Sequence, residues 1–138
     1  MKKLVLGVLA AALMSVSLST APAQAGPYTG TVGTSVAVVA ISKNLPRTAH
    51  AVARVRVLPK SGNAKVRAGV AKMICMRTTP NGNVVRRDGR LTRYNGDRQG
   101  VIGPRLYARA NWRCIVKYYG KSSVYKTSQS AAFRVRVR

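Results

Sequence analysis

Few side chains in this 138-residue chain have the chemistry that catalysis requires. Its only acidic residues are Asp88 and Asp97, its only histidine is His50, and glutamate is absent. Glycosidases use two carboxylates, and catalytic triads use a histidine that an acidic residue orients. Both aspartates border glycines, where aspartate commonly shapes a turn, and His50 is far from either of them in the sequence. We therefore expect neither an enzyme nor a catalytic residue.

Cys75 and Cys114 are the only cysteines, and in an exported protein such a pair most simply forms one disulfide. On the chain-entropy model, closing this loop would stabilise the fold by about 4 kcal/mol. The alternative is a reactive or metal-binding thiol, but the sequence has no second pair of cysteines to complete a zinc site. We expect no metal and no cofactor.

Export is expected because residues 1–25 have the features of a secretory signal peptide. Two lysines precede an apolar run, and small residues then lead to an A-x-A cleavage site at Ala25. The run is shorter than the ~20 apolar residues of a membrane-spanning helix. We predict cleavage after Ala25, a flexible lead over residues 26–33 and one domain over residues 34–138. The product is expected to be extracellular, free or held non-covalently at the cell wall, without a transmembrane segment.

The chain is strongly basic. It carries 25 Lys and Arg residues against two aspartates, a net charge of +23, and removal of the two signal-peptide lysines leaves +21. Such a charge destabilises a compact state by self-repulsion, so it is either a tolerated compositional bias or a means of binding polyanions. We favour polyanion binding, because a polyanion that binds a surface almost without acids gains by releasing its own counterions.

Alternating apolar and basic residues predict the β-strands that must hold these cations. The final segment, AAFRVRVR, and residues 50–59, HAVARVRVLP, alternate valine or alanine with arginine, as half-buried strands do. A third strand is predicted in NWRCIVKYYG, residues 111–120, and a β-branched first strand in residues 34–42. The apolar side of the third segment would consist of Trp112, Cys114, Val116 and Tyr118.

Glycine, proline and asparagine divide the rest of the chain into short strands. Pro80-Asn81-Gly82 predicts a turn, and Asp88-Gly89 is typical of a two-residue hairpin. Gly69 is interpreted as a bulge that absorbs a shift in the apolar alternation, and Gly103-Pro104 as a break before a strand. Residues 26–138 contain no clear helical period of ten or more residues, so the pattern predicts an all-β sandwich or barrel.

The C-terminal third, NWRCIVKYYGKSSVYKTSQSAAFRVRVR, resembles the last two strands of bacterial immunoglobulin-like repeat domains of secreted and surface proteins. In that family an aromatic-rich strand ends in Tyr-x-Gly, a loop carries a further Tyr and paired serines, and a Val-rich strand closes the domain. The matching residues are Tyr118, Tyr119 and Gly120, then Tyr125, Ser128 and Ser130, then Val135 and Val137. The resemblance extends over residues 34–138 and implies a single immunoglobulin-like sandwich of about seven short antiparallel strands.

The resemblance also implies where the cysteines and cations lie. Cys75 would lie on the third strand and Cys114 on the sixth, so their disulfide would join neighbours within one sheet, whereas antibody-type disulfides join opposite sheets. The opening and closing strands would belong to different sheets, and the cationic surface would therefore surround the domain. The expected polyanion-binding residues are Arg54 and Arg56 on one sheet, and Arg113, Lys117, Arg134, Arg136 and Arg138 on the other.

The family implies a scaffold for spacing, adhesion or ligand display. We therefore expect a secreted, monomeric, non-catalytic module that binds an anionic polymer: teichoic acid, acidic polysaccharide or extracellular nucleic acid. One alternative is a cationic antimicrobial protein that acts on anionic membranes, although the sequence shows no clear amphipathic helix or exposed apolar wedge. Another is a small secreted nuclease, which would require His50 to meet an aspartate in the fold.

Overall fold

β-strands form the regular structure of residues 32–121 and 124–138, which the computed structural model describes. This part of the chain contains no helix, and hence none that is long and apolar enough to cross a membrane. The predicted signal peptide, residues 1–25, and most of the predicted lead, residues 26–33, lie outside the described residues.

Ten strands are present in the described residues, where the sequence predicts about seven. Three of the ten, β2, β6 and β9, have only two residues each. In chain order the strands are β1 Thr34–Ile41, β2 Asn44–Leu45, β3 His50–Pro59, β4 Val70–Thr78, β5 Val84–Asp88, β6 Thr92–Arg93, β7 Gln99–Arg105, β8 Asn111–Tyr119, β9 Ser128–Gln129 and β10 Phe133–Val137.

The strands form two sheets that make a sandwich-like fold. The smaller sheet has the order β1-β3-β7. The larger has the order β2-β10-β8-β4-β5, with β6 also pairing with β4 and β9 with β8. β2 and β10 run parallel, and the other paired strands of both sheets run antiparallel. The predicted all-β class is therefore confirmed.

The predicted alternation is confirmed in the three strands that showed it best. In β3 every second residue from Ala51 to Val57 is buried, and Arg54 and Arg56 are exposed. β8 buries Trp112, Cys114, Val116 and Tyr118, as the pattern predicts. In β10 the two valines are buried and the two arginines are exposed. The terminal guanidinium groups therefore face the solvent.

Aromatic side chains fill the core between the sheets, and each polar end has a hydrogen-bond partner. The Tyr94 hydroxyl accepts a hydrogen bond from the backbone N–H of Val57, 2.9 Å away, and the Tyr118 hydroxyl donates to the Ala68 carbonyl. The Trp112 indole N–H donates to a backbone carbonyl at 3.2 Å. Because a buried polar atom is costly when it lacks a partner, these bonds let large rings fill the core.

The disulfide joins two adjacent strands of the larger sheet. Cys75 on β4 and Cys114 on β8 are directly opposite each other, their Cα atoms are 4.1 Å apart, and both side chains are fully buried. The predicted disulfide is therefore confirmed, and it lies within one sheet.

The predicted hairpin at Asp88-Gly89 is wrong. β5 and β6 do not pair with each other; both pair with β4, β5 at Ile74–Thr78 and β6 at Val70–Ala71. Gly89 allows a close approach between chains instead, because an added Cβ would lie 2.7 Å from the Cα of Gly103.

The predicted break at Gly103-Pro104 is also wrong, because both residues lie inside β7. β7 is an edge strand of the smaller sheet, so a proline without an N–H is tolerated there. Gly103 is needed for packing, since an added Cβ would lie 2.4 Å from Met73 Sδ and 2.9 Å from the Ala51 carbonyl oxygen.

Gly69 precedes β4 and is not a bulge within it. Its φ is +104°, which favours glycine, and an added Cβ would lie 2.6 Å from the Tyr118 hydroxyl. The shift in apolar alternation arises because residues 64–69 are not part of a strand. The register irregularities lie elsewhere, in β1 and β3.

Candidate functional site

Six cations on β4, β5, β8 and β10 lie on the outer face of the larger sheet, and we call the surface that they form the arginine face: Lys72, Arg86, Arg113, Lys117, Arg134 and Arg136. Arg93 on β6 pairs with Val70 and lies on the same side of the sheet, beside this surface. Strand alternation places the six cations on the outer face, because the residues between them on β8 and β10 point into the core. The strand register aligns three of them in one row, with Arg113 opposite Arg134 on one side and opposite Met76 on the other, and Met76 opposite Arg86. The row crosses four strands: β5, β4, β8 and β10.

Two pairs of like charges lie directly opposite each other on this face. Arg113 on β8 faces Arg134 on β10, and Lys72 on β4 faces Lys117 on β8. Directly opposed like charges destabilise a sheet by roughly 0.2–1 kcal/mol per pair. These two pairs therefore lower the stability of the sheet.

Asp88 is the one carboxylate on the arginine face. Lys72 Nζ lies 2.8 Å from its Oδ2 and Arg86 Nε lies 2.8 Å from its Oδ1. These hydrogen bonds, that from Arg86 first, lower the pKa of Asp88 from 3.8 to about 2. Arg113 and Arg134 have no carboxylate within 4.0 Å among the described residues. The six named cations and Asp88 together carry a net charge of +5.

Apolar and aromatic side chains lie among these cations. Ile115 and Tyr119 lie on the same side of β8 as Arg113 and Lys117, and both are half-buried. Lys117 Nζ lies 5.2 Å from the centroid of the Tyr119 ring, close enough for a cation–π contact.

The other predicted binding residues are not all on this face. Arg54 and Arg56 project from β3 on the outer face of the smaller sheet, and Arg138 is exposed directly after β10. The surroundings of Arg54 and Arg56 differ from those of the arginine face, because exposed apolar residues lie on the same sheet. These are Val39, Val52, Leu58 and Ile102, between 38% and 47% exposed.

Sequence reasoning missed Lys72 and Arg86. Both lie in segments without a clear alternation of apolar and basic residues, so the sequence does not show which side of the sheet they face. Arg77, also on β4, points the other way: its guanidinium lies 5.3 Å from the centroid of the Trp112 ring. Its Nε is buried with no hydrogen-bond partner in the described part of the chain.

The side chain of His50 forms hydrogen bonds with Arg105 and with the backbone of Gly103. Its Nε2 accepts a hydrogen bond from Arg105 Nε at 3.0 Å, so its Nδ1 carries the proton and donates to the Gly103 carbonyl at 2.9 Å. The carboxylate of Asp88 is bound to Lys72 and Arg86, and that of Asp97 lies 3.4 Å from Lys65 Nζ. No hydrogen bond joins His50 to either aspartate in residues 32–121 and 124–138, although His50 and Asp88 line the same cleft.

Potential metal ligands are also dispersed. Groups of three or more histidine, cysteine, aspartate or glutamate side chains near enough to hold a metal ion do not occur in the described residues.

Comparison with known proteins leaves the arginine face as the main guide to function. A scan against protein-family models and a search of curated proteins both find no match to this chain.

Proposed function

We propose that this protein is a secreted, non-catalytic immunoglobulin-like module that binds anionic polymers electrostatically through the arginine face. The observation that carries the proposal is the row of Arg86, Arg113 and Arg134, in which Arg113 and Arg134 oppose each other directly. Lys72 and Lys117 form a second opposed pair, and the only carboxylate beside these cations is that of Asp88. The polymer class includes teichoic acid, acidic polysaccharide and extracellular nucleic acid.

The sheet order supports the immunoglobulin-like part of the proposal. Counting only strands of five or more residues, the first, second and fifth (β1, β3 and β7) form one sheet. The seventh, sixth, third and fourth (β10, β8, β4 and β5) lie side by side in the other. Immunoglobulin sandwiches of the constant type place strands A, B, E and D in one sheet and strands C, F and G in the other. The match therefore covers six of the seven strands, and the fourth, β5, departs from the position of strand D. The disulfide within one sheet is a departure from the antibody type.

The electrostatics support the binding part. A polyanion that lies across the arginine face would relieve the repulsion between Arg113 and Arg134 and would release its own counterions. Guanidinium groups also donate two parallel hydrogen bonds to a phosphate, sulfate or carboxylate group, which a lysine ammonium does not. A row of cations across neighbouring strands suits a polymer with repeated anionic groups, and it imposes no sequence preference on that polymer.

The test compares two double variants that remove equal charge from opposite faces. Arg113→Gln/Arg134→Gln alters the arginine face, and Arg54→Gln/Arg56→Gln alters the smaller sheet. Binding of fluorescently labelled heparin is measured by anisotropy over a series of KCl concentrations. We expect the first variant to bind heparin about tenfold more weakly. The slope of log affinity against log KCl concentration should also be about 1.5 less steep.

The Arg54→Gln/Arg56→Gln variant serves as the matched control and should change heparin affinity less than about twofold. Glutamine keeps the hydrogen-bonding end and part of the aliphatic stem, and removal of an opposed like-charge pair should not destabilise the sheet. Equal losses in the two variants would mean that binding is spread over the whole molecule and that the arginine face has no special role.

A second candidate function, action on anionic membranes, is favoured by the smaller sheet. Arg54 and Arg56 lie there among exposed Val52, Leu58 and Ile102, a combination of charge and apolar surface that suits the interface of a lipid bilayer. The same variants separate the two functions. Retention on phosphatidylglycerol vesicles that is lost in Arg54→Gln/Arg56→Gln, with heparin binding unaffected, would favour the membrane.

A further inference from the structure

A cleft beside the arginine face brings together residues from three distant parts of the chain, two of which supply its arginines. It has a volume of about 300 Å³ and lies where the end of β5 meets β7 and the start of β3. The polar and charged residues that line it are His50, Arg87, Asp88, Arg90, Arg105 and Tyr107.

Close packing of two glycines brings these cations together. The Gly89 N–H donates to the Met73 carbonyl at 2.8 Å, and Gly89 lies so close to Gly103 that no side chain fits between them. Arg87 and Arg90, on either side of Gly89, are thereby held beside Arg105, which follows Gly103 by two residues.

His50 positions Arg105. The Nε of Arg105 donates to His50 Nε2 at 3.0 Å, while His50 Nδ1 donates to the Gly103 carbonyl at 2.9 Å. His50 is therefore fixed at both nitrogens and presents an acceptor to the guanidinium. Among the described residues Arg105 makes no other side-chain hydrogen bond, so its two terminal NH₂ groups are left for a ligand.

A tyrosine positions Arg87. The Arg87 guanidinium lies 5.9 Å from the centroid of the Tyr107 ring, within the range of a cation–π contact. The backbone at Tyr107 is in turn held by Arg47, whose Nε donates to the Tyr107 carbonyl at 3.2 Å. Two guanidinium groups therefore have set directions before any ligand arrives, which reduces the entropy lost on binding.

The charge of the cleft indicates the class of ligand. Arg87, Arg90 and Arg105 contribute three positive charges, and the Asp88 carboxylate is already bound to Lys72 and Arg86. A carboxylate ligand offers a single charge and two oxygens. A phosphate monoester offers a charge of about −1.5 to −2 and three strong acceptor oxygens, and it can accept from several guanidinium groups at once.

We propose that this cleft binds a phosphate monoester group, with Arg87 and Arg105 donating to its oxygens and His50 acting as the positioning residue for Arg105. The proposal goes beyond the proposed function, because the residues that would hold the phosphate are not the cations of the arginine face. The group can come from a free small phosphate or from the terminus of a polymer.

The test measures inorganic phosphate binding by ¹H–¹⁵N NMR titration at constant pH and ionic strength, with acetate as the competing carboxylate. We expect saturable shifts at His50, Arg87, Arg105 and Tyr107, and about tenfold weaker phosphate binding in Arg105→Gln. His50→Ala should weaken binding severalfold. His50→Gln should restore it, because the glutamine oxygen replaces the Nε2 acceptor.

A ten-nucleotide oligothymidylate, with and without a 5′-phosphate, distinguishes a polymer terminus from a small free phosphate as the ligand. Tighter binding of the phosphorylated form, lost in Arg105→Gln, would assign the cleft to a polymer terminus. Inorganic phosphate binding without that preference would support the cleft as a site for small phosphates.

The matched control is Arg98→Gln, which removes one exposed arginine that does not line the cleft. Equal weakening of phosphate binding in Arg98→Gln and Arg105→Gln, or phosphate shifts spread over the arginine face, would overturn the proposal. If the unaltered protein bound phosphate but did not bind heparin, only the proposed function would be overturned. Heparin binding without phosphate binding would overturn only the cleft.

Discussion

Asp88 links the stability of the arginine face to pH. Its carboxylate is bound to Lys72 and Arg86, two of the six cations of the arginine face. Because their hydrogen bonds favour the ionised form, the pKa of Asp88 is about 2 in the folded protein and 3.8 ordinarily. A group with a lowered folded pKa contributes stability that is present above its unfolded pKa and is lost as the pH falls through its folded pKa.

We therefore expect the unfolding free energy to decrease between pH 4 and pH 2, and to decrease less in Asp88→Asn, which has no proton to gain. The difference should be below about 1 kcal/mol, because the side chain of Asp88 is 36% exposed and solvent screens its ion pairs. Urea unfolding monitored by circular dichroism at several pH values measures it.

Asp97→Asn is the control for this prediction. The Asp97 and Lys65 side chains are 68% and 61% exposed, so at pH 7 the substitution should change the unfolding free energy by less than about 0.5 kcal/mol. Identical acid sensitivity in Asp88→Asn and the unaltered protein would show that the hydrogen bonds from Lys72 and Arg86 to Asp88 do not stabilise the fold.

At the residue scale, the sequence predicted side-chain direction well and side-chain partners poorly. Arg134 and Arg136 were predicted to face outward because their own strand alternates. The cleft was not predicted, because His50 and Arg105 are 55 residues apart and are brought together only by the pairing of β3 with β7.

β7 shows how a strand can be specified by packing against the opposite sheet. Gly103 lies on its buried side, and an added Cβ would be 2.4 Å from Met73 Sδ, on β4 of the larger sheet. Gly100, three residues earlier on the same strand, has no atom within 4 Å of such a Cβ. The two glycines therefore form a matched pair for testing how closely the sheets pack.

Gly103→Ala should lower the unfolding free energy by about 1–3 kcal/mol, the usual cost of overpacking. Gly100→Ala should leave it unchanged or raise it slightly, because alanine restricts the unfolded chain. Chemical denaturation of both variants measures the difference. Similar unfolding free energies would mean that Met73 moves aside without cost.

At the element scale, alternation identified strands that bury one face, such as β3, β8 and β10. It failed where a glycine serves contact between sheets. Asp88-Gly89 has the composition of a hairpin turn, and Gly103-Pro104 that of a strand break, but both glycines are required by their approach to each other. That approach depends on residues far away in the sequence, so no local rule reveals it.

The charge of the whole molecule should determine how its stability responds to salt. The described residues contain 23 of the 25 cations and both aspartates, so they carry +21. Salt screens repulsion between exposed charges, with a Debye length of about 30 Å at 0.01 M and about 10 Å at 0.1 M. Folding into a compact state brings these charges together, so screening favours the folded protein.

We expect the melting temperature to rise by about 4 °C or more between ~0.01 M and ~0.3 M KCl, as measured by differential scanning calorimetry. The rise should be smaller in Arg113→Gln/Arg134→Gln, which lacks one opposed like-charge pair. A melting temperature that is constant or falls with KCl would show that the repulsion is already offset within the fold.

The disulfide has a mechanical consequence at the scale of the whole molecule. Although it joins neighbours in the larger sheet, the covalent ring that it closes also contains β7, an edge strand of the smaller sheet. When tension is applied to both ends of the chain, the residues between Cys75 and Cys114 cannot be drawn out, and only the segments outside the ring lengthen. A domain anchored to a polymer under flow would thus yield a shorter extension before it ruptured than its residue count implies.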